Sequence, residues 1–157
     1  MAKFIYYNPN PLEKRTGDCV IRALTKLLDM DWDTVFVDLF TKSFAMKDMM
    51  DHNIVWNDYL ESMGYIRKSI PDRCPLCYSI ADFCDDHPSG KYIVATDSHV
   101  VAIVDGDYYD TWDSGDKVPI YYWTKGEALD GPAKLSTADV LPAANAAGPS
   151  TAKPISK

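Results

Sequence analysis

The spacing of apolar positions changes period along the chain. Val20, Ala23, Leu24, Leu27 and Leu28 recur at i, i+3, i+4, i+7 and i+8, which predicts an amphipathic helix. Asp18 stands where an N-cap belongs, its carboxylate able to take an orphan N–H of the first turn, so Cys19 becomes the first helical residue. A second helix is expected over residues 32–42, with Asp31 as its cap and Val35, Phe36, Leu39 and Phe40 on one face. The methionine-rich stretch 46–50 ends that helix or links it onward. A third helix is expected over 55–63, stopped by Gly64, and a short strand over 65–70 before Pro71. Ser79 caps a short helix at 80–86, closed by His87-Pro88-Ser89-Gly90.

Beyond residue 90 the pattern turns to β-branched runs at 92–95 and 100–104. Asp105-Gly106 is a hairpin signal, 108–113 reads as the returning strand, and 120–123 adds another. Helices first and antiparallel strands later is the α+β pattern. The chain opens on Lys3-Phe4-Ile5-Tyr6-Tyr7, then Asn8-Pro9-Asn10-Pro11, where each residue before proline is driven to an extended or turned path. At 157 residues one domain is expected, over 1–130. Residues 131–157 collapse into Ala, Pro, Ser, Thr and Lys and predict a mobile tail, too poor in apolar surface to offset its ordering entropy.

Composition narrows the functions. Sixteen Lys and Arg against 23 Asp and Glu leave a net charge of −7, so no nucleic acid is expected as a partner: phosphate backbones are held by Lys and Arg. No apolar run approaches the ~18 residues of a membrane span, and no basic-then-apolar leader opens the sequence, so no membrane association is expected. Cys19, Cys74, Cys77 and Cys84 then read as thiols in a reducing compartment, the cytoplasm.

A thiolate is the nucleophilic form of cysteine, and a helix N-terminus favours it through unpaired N–H groups and the macrodipole. Cys19 has that setting, with Gly17 admitting a close substrate and the Cys19 N–H lying where an acyl oxyanion develops. Equally, a cysteine in a first turn is a small apolar residue. Of the three histidines, His52 and His87 read as surface residues, whereas His99 heads the apolar run 100–104. A two-residue turn at Asp105-Gly106 pairs Val104 with Asp107 and sets His99 opposite Trp112, with Asp110 one diagonal away on the same face. A three-residue loop pairs Val104 with Tyr108 and sets His99 opposite Asp113, ~5 Å apart at Cβ. Asp113 is the preferred carboxylate for orienting the ring and stabilising the imidazolium, and Asp110 the alternate.

The blocks Gly17-Asp18-Cys19-Val20-Ile21-Arg22-Ala23-Leu24 followed by Trp32, and His99-Val100-Val101-Ala102-Ile103-Val104-Asp105-Gly106 followed by Asp110-Thr111-Trp112-Asp113, resemble small papain-like (C39-like) cysteine peptidase proteins. Such proteins are encoded by bacteriophages and prophage-carrying bacteria, and the resemblance covers about residues 5 to 123. It implies a papain-like fold with Cys19 as nucleophile, His99 as general base and Asp113 as orienting acid. It also implies hydrolysis of an amide or isopeptide in a protein or peptide substrate, in the host bacterial cytoplasm if phage-encoded. One departure concerns the oxyanion hole: that family usually carries a glutamine shortly before the cysteine, and residues 13–18 hold none. Asn8, Asn10 and Thr16 are the replacement candidates. The missing glutamine also admits a catalytically inert scaffold that binds a host protein or small molecule.

Cys74, Cys77, Cys84 and His87, spaced C-x2-C-x6-C-x2-H, have the ligand types of a tetrahedral zinc site. The short spacing and the helical reading of 79–84 favour core and surface thiols instead, so neither a metal nor a cofactor is expected.

Overall fold

A computed structural model describes residues 1–71 and 77–126; the expected tail at 131–157 and Cys74 lie outside the described residues. Within them the chain runs β1 (Phe4–Tyr6), α1 (Cys19–Leu28), α2 (Trp32–Met46), α3 (Asn53–Ser62), β2 (Tyr65–Ser69), α4 (Ile80–Asp86), β3 (Lys91–Ala95), β4 (Val100–Val104), β5 (Asp107–Asp110) and β6 (Tyr121–Lys125). The strands form one sheet in the order β1-β5-β4-β3-β6-β2, parallel only between β1 and β5. The architecture is α+β.

β3 and β4 lie at the centre of that sheet, and both of their faces are covered. Ile93, Ala95, Val100 and Ala102 pack against Val20, Leu24 and Leu27 of α1, with Val35, Leu39, Trp56 and Leu60 from α2 and α3 behind them. Val94, Val101 and Ile103 face the opposite way, onto Ile80, Phe83 and Cys84 of α4. A strand buried on both sides loses its polar alternation, which is why these two read as continuous apolar runs. Leu24 is fully buried, so trimming it to alanine removes ~2–5 kcal/mol of packing.

Helix starts follow local chemistry. The Asp31 carboxylate accepts from the Thr34 backbone N–H at 2.8 Å and opens α2. Ser79 and Asp82 close a reciprocal capping box on α4. Asp18 departs from expectation: it occupies the cap position of α1, but its carboxylate makes no cap bond and is taken up by two side chains discussed below. α2 runs on to Met46, four residues past the expected end, since nothing in Ser43-Phe44-Ala45-Met46 breaks a helix; Lys47 ends it in the left-handed conformation. Phe40, expected on the apolar face with Val35, Phe36 and Leu39, is instead exposed, and the extension leaves Phe44 exposed as well. Among the described residues no helix is long and apolar enough to cross a membrane.

The hairpin between β4 and β5 corrects the preferred register. Asp105 and Gly106 both take positive φ, 51° and 80°, the signature of a two-residue type I′ turn. Val104 therefore pairs with Asp107, not Tyr108. β5 also stops at Asp110, three residues earlier than expected. There the Asp110 carboxylate accepts from the Thr111 backbone N–H (2.7 Å) and the Ser114 hydroxyl (2.8 Å), and this local turn takes Trp112 and Asp113 off the ladder.

Candidate active site

Three elements converge at one end of the sheet. Cys19 is the first residue of α1, half-buried, with no carbonyl four residues back to accept its N–H. His99 closes the β3–β4 connection, its own N–H donating to the Thr96 hydroxyl at 3.1 Å and its carbonyl accepting from the Thr96 N–H at 2.9 Å. Asp110 ends β5 and is 1% exposed. The His99 Nε2 meets Asp110 Oδ2 at 2.5 Å, which leaves Nδ1 as the ring nitrogen open to Cys19. Trp112 lies beside the imidazole, ring centroids 5.1 Å apart.

The electrostatics of this chain oppose burial and win. Burial alone disfavours a Cys19 thiolate, but the hydrogen bond and charge of His99, the Val100 N–H and the charge of Arg22 hold the thiol below its usual range. Burial likewise disfavours a charged imidazole. Hydrogen bonds and charge from Asp110 and Cys19 outweigh it, and His99 is raised to about 9. Asp110, penalised by burial in the same way, is nevertheless lowered by His99, Ser114 and the Thr111 N–H. Each shift favours the charged form of its group, the direction of a thiolate–imidazolium–carboxylate series.

Asp113, the carboxylate preferred from the sequence, lies elsewhere. It accepts from the Tyr108 hydroxyl at 2.6 Å and the Gly115 N–H at 3.2 Å. The physical reason is the turn: one residue fewer in the loop carries Asp110 to the diagonal position beside His99. Behind Asp110 stands a residue the sequence reading passed over. Arg22, 8% exposed at its side chain, donates to Asp110 Oδ1 at 3.3 Å and forms an ion pair with Asp18. Asp18 in turn accepts from the Trp32 indole N–H at 2.9 Å. A lone arginine between Ile21 and Ala23, four residues after an aspartate, was the available signal.

A cleft of about 320 Å³ opens on this group, lined among others by Gly17, Cys19 and His99 together with Asp51, Asn53 and Asp97. Asn53 begins α3 and accepts the Trp56 indole N–H on its Oδ1 at 3.2 Å. The expected oxyanion donors do not line the cleft. Asn8 donates to the Lys14 carbonyl at 3.3 Å, and Asn10 accepts from the Leu12 N–H at 2.9 Å, so both build the Asx-Pro loop; Thr16 is exposed.

The remaining cysteines are separate. Cys84 packs in the core on the buried face of α4, where burial and then the charges of Asp107 and Asp85 push its thiol up to about 12. His87 stacks on Phe83 at 3.9 Å and shares a hydrogen bond with its carbonyl, while Cys77 is exposed beside Tyr78 and Pro119. Among the described residues no three His, Cys, Asp or Glu side chains group to hold a metal ion, and Cys74 lies outside them.

No protein-family model, curated protein or solved structure matches this chain.

Proposed function

We propose that the chain is a papain-like thiol hydrolase acting on an amide or isopeptide carbonyl. The observation that carries this reading is Cys19 at a helix N-terminus beside His99, itself hydrogen-bonded to Asp110, on the wall of an open cleft. A nucleophile-bearing helix packed on an antiparallel sheet that supplies the histidine and the acid supports the papain-like comparison made from the sequence.

In this mechanism the Cys19 thiolate attacks the carbonyl carbon and the C=O π pair moves onto oxygen. The tetrahedral intermediate collapses with cleavage of the C–N bond, and the leaving nitrogen takes the proton from the His99 imidazolium. Neutral His99 then removes a proton from water as that water attacks the thioester. Collapse releases the carboxylic acid, and the departing sulfur regenerates the thiolate–imidazolium pair. Asp110 holds the ring in the tautomer with Nε2–H and stabilises the imidazolium, while Arg22 and Ser114 hold Asp110. Asp51 and Asp97 make the cleft wall negative, so acyl donors with a neutral or cationic side chain suit it better than acidic ones.

The test is alkylation by iodoacetamide at pH 6, read by peptide mass spectrometry. Cys19 labels well ahead of the exposed Cys77, and Cys19→Ala abolishes the fast reaction. If Cys19 reacts no faster than Cys77, and only above pH 8, the hydrolase reading fails. A binding role on the same scaffold then takes its place, for which the exposed α2 face of Val37, Phe40 and Phe44 is the supporting observation. A phage accessory protein acting in the host cytoplasm fits either reading.

A further inference from the structure

We propose that the side-chain amide of Asn53 donates to the oxyanion formed at Cys19, completing with the Cys19 N–H a hole assembled from the starts of two helices. The inference rests on the thiol-hydrolase reading above. A tetrahedral intermediate places a full negative charge on the former carbonyl oxygen, and preorganised N–H donors carry much of its stabilisation. The first donor is on α1: the Cys19 backbone N–H precedes the first intrahelical bond of that helix, which runs from the Arg22 N–H to the Asp18 carbonyl.

A second donor has to reach the same space, and the structure narrows the choice. Asn8 and Asn10 are engaged in their own loop. Of the other polar side chains on the cleft, Asp51 and Asp97 repel an oxyanion, the Thr96 hydroxyl is committed to the backbone of His99, and Ser98 sits on the exposed bend that leads into His99. Asn53 is the amide on that wall. Its flip state is set by a fully buried neighbour: Trp56 is 0% exposed, and its indole N–H can only donate, so the atom facing it is the Asn53 Oδ1. The Nδ2 therefore points away from the indole with two N–H donors, neither of which has a hydrogen-bond partner among the described residues. Asn53 is also the first residue of the ten-residue α3, so the unpaired N–H groups there add to the positive potential on that wall. Acceptor fixed and donors unclaimed, on the wall of the cleft that holds the Cys19 thiol: this is a neutral donor available without a salt bridge to break.

Two reactions at the same sulfur separate this role from any effect on the thiol. Iodoacetamide alkylation is a displacement at an sp3 carbon and forms no oxyanion. Acylation by p-nitrophenyl acetate passes through a tetrahedral oxyanion and releases nitrophenolate. In Asn53→Ala the acylation rate constant should fall about 10²-fold, within the usual cost of removing one such donor, with alkylation at its pH plateau within twofold of wild type. Asn53→Asp, which keeps an acceptor for Trp56 but replaces the donor with a carboxylate, should acylate no faster than Asn53→Ala. Circular dichroism checks that α3 is retained. Acylation at the wild-type rate in a folded Asn53→Ala variant overturns the proposal and leaves the hydrolase reading standing. Equal falls in both rates also overturn it, assigning Asn53 to the thiol instead. If wild-type Cys19 shows neither fast alkylation at pH 6 nor acylation, the hydrolase reading fails and the Asn53 role fails with it.

Discussion

Asp110→Asn is the perturbation that probes the site most directly. Asp110 is buried and receives four donors, from His99, Arg22, Ser114 and the Thr111 backbone. Asparagine matches it in size and keeps one acceptor. The Oδ1 facing the Thr111 N–H and Arg22 survives, so the atom facing His99 becomes an NH2. That group donates to Nε2 and forces the ring proton onto Nδ1, where it can no longer accept the proton of Cys19. The imidazolium also loses an anion. His99 stands at about 9 against an ordinary 6.5, a preference for the charged ring of about 3 kcal/mol at 1.36 kcal/mol per pH unit. Asp110 and the Cys19 thiolate share that preference, and half of it, about 1–2 kcal/mol, is a factor of roughly ten or more in the equilibrium between the thiol–imidazole and thiolate–imidazolium forms. The assay is the second-order rate of Cys19 alkylation from pH 5 to 10, with Cys77 as the exposed reference and the His99 ring followed by NMR. The variant should react about tenfold more slowly at pH 6–7 and approach wild type as ordinary thiol ionisation takes over above pH 9. A pH profile superimposable on wild type in a folded variant, with His99 still titrating near 9, refutes the assigned role of Asp110.

Three further outcomes follow from the same geometry. Asp113→Asn should leave the alkylation profile unchanged, because Asp113 serves Tyr108 and Gly115; a tenfold fall would return it to the site. Gly106→Ala should lower stability in urea by ~1–2 kcal/mol, since the residue sits at φ +80° and its new Cβ meets the Pro88 Cα at 3.2 Å; a midpoint equal to wild type contradicts the type I′ turn. In a Cys19→Ala background, which removes the coupled thiol, the stability gained from the His99–Asp110 pair should depend on pH in a fixed sense. His99 is raised, so its contribution is complete below 6.5 and is lost as pH climbs through the folded value; Asp110 is lowered, so its contribution is present above 3.8 and is lost as pH falls. Thermal melts with and without His99→Gln should therefore differ most between about pH 4 and 6.5. A gap that widens toward pH 10 would show the wrong sign.

Local chemistry was legible in the residues themselves. The i, i+3, i+4 stripe from Val20 to Leu28 marks α1 and sets Cys19 at its first turn, and Ser79 with Asp82 marks α4 to the residue, because caps and helical faces depend on neighbours within four positions. The β-branched apolar runs of β3 and β4 marked strands for a similarly local reason. What the chain could not announce was any choice decided by contacts far apart in sequence. Whether Asp110 or Asp113 meets His99 depends on one residue in a turn, and both loops are compatible with Asp105-Gly106; the type I′ geometry and the Asp110–Ser114 turn decide it only once the sheet has formed. Arg22 is an unremarkable basic residue on a helix until β5 brings Asp110 to it from 88 positions away. Asn53 carried no signal at all. Its place on the cleft wall follows from α3 packing its Trp56 beneath the sheet, and only that burial brings an exposed amide into the lining of the cleft that holds Cys19.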